Sequence, residues 1–296
     1  MTRQIFVRGM SRSGGTLMVT VLDAHPQVAM SYELYEHLLE PQSPSDDVSA
    51  SLRLALQESP RKSLVGKRST TDPNRWKAFL GRALRAGLDS RDVLAQLDAH
   101  EKDGGTFTTF EGRMQFIERL SREKMLRAGK IHWGAKIASA YDQLHRMYPQ
   151  ASFLFMQRDG RDMAASRKMV GDFDQSVEHI ASGWVKQLQQ FRRFAEQSGV
   201  RALMVHYERL TAEPETELRR IIDFLELPWD DRLLSFHDED LTLYRNPTGH
   251  LSANQVNQPI NGTSVGRWKR DLSPQEISVF EAVAGDQLEA LGYSRS

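Results

Sequence analysis

The stretch from Gln4 to Glu36 constrains this chain more than any other. A short apolar run, Ile5-Phe6-Val7, stops at Gly9-Met10-Ser11-Arg12-Ser13-Gly14-Gly15-Thr16. Helix-period residues Leu17, Val21 and Leu22 follow, and Ala24 closes the stripe. The pattern is strand, glycine-bearing loop, helix, on the frame G-x-x-x-x-G-K-[ST] of phosphate-binding loops. Gly9, Gly14 and Thr16 fall on the frame, but position 15 is glycine where the frame has lysine. That lysine reaches the β- and γ-phosphates in triphosphate chemistry, so its loss argues against an ATPase or GTPase. Two readings stay open. The loop binds one terminal anionic group with its backbone N–H groups, a helix N-terminus and Arg12, or it only turns strand into helix.

Length and charge set the outer bounds. The 296 residues suffice for one large α/β domain or two small ones. Lys+Arg and Asp+Glu are equal at 39, which gives no support for nucleic-acid or membrane-surface binding. There are no cysteines, hence no disulfide and no cysteine-based zinc site, and no metal centre is expected. The segment MTRQIFVRGM lacks the apolar core of a signal peptide, and no run approaches the length of a spanning helix. The expectation is a cytoplasmic protein with no membrane-spanning segment. No heptad or symmetric patch indicates an oligomeric state.

Pro26 ends the first helix, and Val28-Ala29-Met30 reads as a second strand that delivers Ser31-Tyr32-Glu33. Residues 41–49 read as a loop. An all-helical insertion over about 45–129 follows from the spacing of Leu52, Trp76, Phe79, Leu80, Leu84, Leu88, Leu94 and Leu97. Its charges, including Arg61, Lys62, Lys67 and Arg68, read as a solvated face or as a lid over an acceptor. The second half alternates. Strands are expected at 132–136, 152–157 and 202–206, with helices at 139–148, from Met163, at 174–197 and at 213–227. A final helix is expected with Ser273 as N-cap, Pro274 at N1 and Gly292 as the stop. Continuous apolar strands alternating with helices imply a parallel sheet buried on both faces. The fold class is therefore α/β: a P-loop-like three-layer fold, a central parallel sheet flanked by helices, plus the helical insertion. Ser11–Thr16, Glu33, Lys136, Arg158–Ser166 and Tyr207 all fall at expected strand ends, where ligands of such sheets bind.

The pairing of Arg12-Ser13-Gly14-x-Thr16 with a later R-D-x-R-x-x-x-x-S (Arg158 to Ser166) resembles sulfotransferases that use 3'-phosphoadenosine-5'-phosphosulfate (PAPS). The segments RSGGTLM, LDAHP and Tyr32-Glu33 resemble most closely the tyrosylprotein sulfotransferases and their bacterial relatives. So do Gln255-Val256-x-x-Pro259-Ile260-Asn261 and Arg267-Trp268. The resemblance implies one sulfotransferase-like domain over 1–296, with a cofactor-covering segment at about 240–270. It implies transfer of a sulfuryl group from PAPS to an acceptor hydroxyl, with departure of 3'-phosphoadenosine-5'-phosphate (PAP). The acceptor could be a saccharide, a lipid, a small metabolite or peptide tyrosine.

Carried over by position, Arg12, Ser13, Gly14, Gly15, Thr16 and Leu17 form the loop around the 5'-phosphosulfate. Arg158 and Ser166 hold the 3'-phosphate, Tyr207 lines the nucleotide, and Arg267 closes over it. Glu33 matches the general base, Lys136 the lysine that steadies the bridging oxygen, Arg12 adds positive charge, and Ser252 falls near the catalytic serine. Gly15 departs from the usual threonine, and the helical insertion has no matching motif. Read from the residues alone, Glu36 rivals Glu33, His25 and His37 are further bases near the loop, and a P-loop kinase or a non-catalytic scaffold are the competing functions.

Overall fold

The computed structural model describes residues 2–57, 75–170, 175–241 and 256–296. Arg61, Lys62, Lys67, Arg68, Ser252 and Gln255 lie outside the described residues. The strands β1 (Gln4–Gly9), β2 (Val28–Ser31), β3 (His132–Lys136), β4 (Ser152–Gln157) and β5 (Arg201–His206) form a sheet in the order β2-β3-β1-β4-β5. The β1/β3, β2/β3 and β4/β5 pairs are parallel, and helices flank the sheet. The chain divides into two compact units, Met1–Val7 with Thr16–Ala151 and Asp230–Gln258, and Arg8–Gly15 with Ser152–Trp229 and Pro259–Ser296.

In the first unit, β1 pairs with β3 from Gln4↔Trp133 to Val7↔Lys136, and β2 pairs with β3 from Val28↔His132 to Ser31↔Ala135. Every residue of β2 is buried, as a parallel strand covered on both faces requires. Helix α1 runs Gly15–Ala24. After it, Asp23 accepts the Met30 N–H at 2.8 Å and the Lys124 ammonium at 2.7 Å, while Lys124 also donates to the Met30 carbonyl at 2.6 Å. These bonds tie β2 to α1 and to the helix that carries Lys124. The insertion supplies α2 (Val48–Gln57), α3 (Arg75–Arg85), α4 (Ser90–Lys102) and α5 (Phe110–Arg127). Asp89 caps α4 in a reciprocal box with Asp92, and Thr109 caps α5. Phe79 of α3 and Phe116 of α5 stack with ring centres 6.3 Å apart. Helix α6 is short, Tyr141–Met147.

The second unit holds β4, β5, α7 (Gly160–Val170), α8 (Val177–Ala195), α9 (Tyr207–Ala212), α10 (Pro214–Leu225), α11 (Trp268–Asp271) and α12 (Pro274–Ala290). Phe153 and Phe155 of β4 meet Phe194 and Phe191 of α8 at 4.8 and 4.5 Å between ring centres. Trp184, Trp268 and Phe280 form a buried apolar cluster joining α7, α8, α11 and α12. Ser273 caps α12 with a reciprocal bond to Glu276, Pro274 stands at its start, and Gly292 follows in the left-handed region at φ +84°.

Three details differ from the sequence reading. Only Val205 of β5 is fully buried, whereas every residue of β2, the other terminal strand, is. Helix α7 begins at Gly160, ahead of Met163. Asp159 accepts the Arg161 N–H at 2.9 Å, and a side chain at Gly160 would collide with Phe280. A short helix, α9, follows β5 directly with no side-chain cap to announce it. Among the described residues, no helix is long and apolar enough to cross a membrane.

Candidate active site

The loop after β1 owes its shape to two glycines. A Cβ on Gly9 would strike the Ser13 hydroxyl and lie 2.7 Å from the Met156 carbonyl oxygen, so the chain can fold tightly against β4 only with glycine there. Gly14 has φ +94°, and a Cβ on it would sit 2.6 Å from Tyr207 Cδ2. The Ser13 N–H closes the turn on the Met10 carbonyl at 3.1 Å. Arg12 holds φ +76°, a conformation that an L residue adopts at a cost. Ser13 Oγ is buried and has no hydrogen-bond partner among the described residues. A buried polar atom left in that state points to a ligand. Gly15, Thr16 and Leu17 form the first turn of α1, where Thr20 Oγ1 donates to the Thr16 carbonyl at 2.8 Å.

Around this loop the second unit gathers cations. Arg12 Nε donates to Ser166 Oγ at 2.8 Å. Arg158 is buried, donates to the Arg12 carbonyl at 3.1 Å and to the Ser264 carbonyl, and lies over the Tyr207 ring at 4.6 Å. Arg158 Nε has no hydrogen-bond partner among the described residues. Trp184 Nε1 donates to the Arg158 carbonyl at 3.1 Å, fixing the backbone that carries the guanidinium. Asp162 stands 3.5 Å from Arg158 and accepts the N–H groups of Gly266 and Trp268 at 2.8 and 3.0 Å. Burial pushes the Asp162 carboxyl up in pKa, against those N–H groups and Arg158, which hold it down. Through Asp162, the segment leading into α11 is fastened to α7. Arg267 is engaged by Asp271 at 2.9 Å and by Met169.

The first unit carries the carboxylate. Glu33 follows β2, is 2% exposed, and holds φ +48°. Its carbonyl accepts the Tyr35 N–H at 2.9 Å in a tight turn. Lys136, at the end of β3, donates to Glu33 Oε1 at 2.7 Å. From α3, Arg82 Nε stands 4.0 Å from Glu33 Oε2. Glu36 sits a turn further on, where burial raises its pKa and the nearby Arg113 lowers it.

Comparison with known proteins gives this geometry a context. A family model described as "Sulfotransferase family" matches residues 4–231. The chain belongs to the sulfotransferase family. Its activity is transfer of a sulfuryl group from PAPS to a hydroxyl-bearing acceptor. This sulfotransferase is 26% identical to protein-tyrosine sulfotransferase A of Caenorhabditis elegans over 98% of its own length and 67% of that protein's. It is 27% identical to the Drosophila melanogaster protein-tyrosine sulfotransferase over 98% of its own length, and spans about half, 51%, of that longer chain. Its fold is similar to the sulfotransferase domain of the curacin biosynthetic pathway, with TM-score 0.56, 17% identity, and coverage of 100% and 99% of the two chains. It is also similar to the sulfotransferase domain of the Synechococcus PCC 7002 olefin synthase, with TM-score 0.52, 18% identity, and coverage of 96% and 95%.

In this sulfotransferase the sequence-derived candidates fall into two groups. Arg12, Ser13, Gly14, Arg158, Ser166 and Tyr207 meet in one cluster, and Glu33 and Lys136 form an ion pair. His25 is buried, and its Nδ1 accepts the Gln27 N–H at 3.1 Å, which shapes the turn after α1. His37 stacks on Tyr35 at 5.3 Å. Sequence reasoning missed Asp162, Trp184 as a support of Arg158, and Arg82. The R-D-G-R-D run holds Asp162 in plain view, but its partners Gly266 and Trp268 are over a hundred residues away. The described charges of the insertion are not all a solvated face: Arg75, Arg82, Arg85 and Arg113 are buried. Arg75 pairs with Asp46, Arg113 reaches Glu40 at 3.8 Å, and Arg85 lies over the Tyr32 ring at 5.5 Å.

Proposed function

We propose that PAPS is held by the cluster on the Gly9–Thr16 loop, β4, α7 and α9, and that Glu33 and Lys136 serve the acceptor side of the reaction. The observation that carries this reading is the buried, loop-bound set of Arg12, Ser13, Arg158 and Ser166. Two guanidinium groups and two hydroxyls are drawn together there, with Asp162 3.5 Å from Arg158. Ser13 Oγ and Arg158 Nε keep unused hydrogen-bonding capacity. That donor set fits the phosphates of the nucleotide. Arg158 and Ser166 would hold the 3'-phosphate, and the N–H groups of residues 13–17 with the start of α1 the 5' end. Tyr207 would line the base and Arg267 would cover it. When bound, PAPS supplies the sulfuryl group, whose bond to the 5'-phosphate oxygen breaks as the bond to the acceptor oxygen forms, leaving PAP.

The protein's own part is proton and charge management. Glu33 takes the proton of the acceptor hydroxyl. A positioned general base contributes roughly 10²–10⁴-fold. Lys136, with a mobile ammonium of three donors, neutralises charge on the departing oxygen, and Ser252 assists it. The acceptor is a hydroxyl compound, for which a tyrosine peptide is the first probe because of the named activity of the relatives.

Calorimetric titration with PAP and with ATP tests the nucleotide assignment. PAP binding that is lost in Arg158→Ala is the expected result. ATP binding with no PAP binding would overturn it.

A further inference from the structure

The Glu33 carboxylate raises a problem that the Lys136 pair alone does not solve. The side chain is about 3% exposed. Full burial of a carboxyl raises its pKa by as much as about 3–5 units, so without compensation it would hold its proton at neutral pH and be useless as a base. Lys136 compensates in this structure at 2.7 Å. In the reaction proposed above, however, the Lys136 ammonium is needed at the departing oxygen. A second cation must then keep Glu33 ionised.

We propose that Arg82 is that cation: a positioning residue whose fixed charge holds Glu33 deprotonated when Lys136 is drawn to the reacting oxygens. Both carboxylate oxygens of Glu33 face cations. Lys136 takes Oε1, and Arg82 Nε faces Oε2 at 4.0 Å. Arg82 is itself held. Its Nη1 donates to the Ala78 carbonyl one turn back on α3 at 3.0 Å, and its guanidinium lies 6.0 Å from the centre of the Tyr35 ring. Its side chain is about 5% exposed, so water does little to screen its charge. Arginine suits the post because it stays protonated when buried, whereas the pKa of a buried lysine shifts readily.

Other charged groups among the described residues also lie in this region. Arg85 of α3 and Lys136 each lie 5.5 Å from the centre of the Tyr32 ring. Arg113 of α5 faces Glu40 and Glu36. Arg75 of α3 is paired with Asp46 and bonded to the Glu40 carbonyl. Burial raises the Glu36 pKa, against backbone N–H groups and Arg113, which lower it.

This inference rests on the reading of Glu33 as the base, and the test separates the two. The Glu33 carboxyl is followed by ¹³C NMR in the full chain, its resonance identified by its absence in Glu33→Gln. In Arg82→Gln it should titrate about 1–3 pH units higher than in the wild type, and Arg82→Lys should return it most of the way. With PAPS and a tyrosine peptide, Arg82→Gln should lose turnover at pH 7 in proportion to the fraction of Glu33 that its raised titration leaves protonated there, and regain it toward alkaline pH. A purely structural Arg82 would lower turnover equally at every pH. An unchanged Glu33 titration in a folded Arg82→Gln protein overturns the role of Arg82. Normal turnover by Glu33→Gln overturns the base assignment instead, whatever Arg82 does to the titration.

Discussion

Gly14→Ala isolates the contact between the loop and Tyr207. Two costs arise. The first is backbone strain, since φ is +94° and a left-handed L residue costs about 1–2 kcal/mol. The second is a collision, since the new Cβ would lie 2.6 Å from Tyr207 Cδ2 and 3.2 Å from Cε2. The ring must retreat by about 1 Å to reach ordinary contact. That ring faces the Arg158 guanidinium at 4.6 Å, an interaction worth about 0.5–2 kcal/mol. The total is about 1.5–4 kcal/mol, or a fall in Tm of about 3–8 °C for a chain of this size.

Gly104→Ala is the matched control. Its φ is +75°, and nothing lies within 4 Å of the added carbon. It should show the backbone cost alone, about 2–4 °C. PAP affinity should fall about 2- to 30-fold in Gly14→Ala, the equivalent of the lost ring support, and stay unchanged in Gly104→Ala. Placing Gly14→Ala in a Tyr207→Leu background should remove the excess over the control. Thermal melts and PAP calorimetry on the four proteins read all of this. Equal melting and equal PAP affinity for Gly14→Ala and Gly104→Ala would refute the reasoning.

Ser13→Ala should leave stability within about 0.5 kcal/mol of wild type, because its buried hydroxyl has no partner among the described residues to lose. PAP affinity should nevertheless fall about 10- to 100-fold, the worth of one bond to a charged group; unchanged affinity in calorimetry would remove Ser13 from the anion site. Asp23→Asn leaves Lys124 buried beside a neutral side chain at the 2.7 Å ion pair. Urea unfolding should show a loss of about 3–5 kcal/mol, and a loss under 1 kcal/mol would mean that β2 is held by other means. Glu208, which accepts Tyr293 Oη at 3.0 Å, has its pKa raised by burial. Its contribution to stability is therefore fullest below the unfolded value and is lost as pH rises through the folded one. The stability of wild type relative to Glu208→Gln should decline as pH climbs above about 4.5, the ordinary value for the group; a difference independent of pH would contradict it.

Much of the fold was legible because it rests on local pattern. The all-buried strands β2 and β4 are near-continuous apolar runs, and the Ser273-Pro274 start of α12 is a capping signature with the same form in sequence and structure. The loop could be read as well, since the spacing of Gly9 and Gly14 is itself the backbone requirement. What escaped depends on distant partners. At the start of α7, a side chain on Gly160 would collide with Phe280, and the short helix α9 has no side-chain cap at its start. The arginines of α3 carry no sign of burial in their spacing, because arginine on a helix is ordinarily solvated. Acceptors brought against them, Asp46, Glu33 and the Glu40, Ala78 and Gly81 carbonyls, make their burial tolerable.

Two residues of the proposed site, Arg12 and Glu33, hold strained backbone. Among the described residues, four that are not glycine hold φ above zero: Arg12, Glu33, Ala140 and Glu226. Ala140 stands at the N-cap of α6, and Glu226 is the left-handed C-cap of α10. Glu226 has the ordinary reason of a helix C-terminus. Arg12 and Glu33 cap nothing. Each is held instead by long-range bonds of its own side chain, Arg12 to Ser166 and Glu33 to Lys136. Unfavourable backbone persists where the surroundings over-determine it. In the loop it lets the Arg12 carbonyl accept from Arg158 while the Arg12 side chain turns to Ser166. At Glu33 it turns the chain so sharply that the carboxylate reaches Lys136 at the end of the neighbouring β3 strand. A relaxed residue at either place would keep the fold and lose the alignment. Glu33→Asp, one methylene shorter on the same strained backbone, should weaken the bond to Lys136 and, on the proposal that Glu33 is the base, lower turnover with PAPS and a tyrosine peptide; unchanged turnover would contradict it.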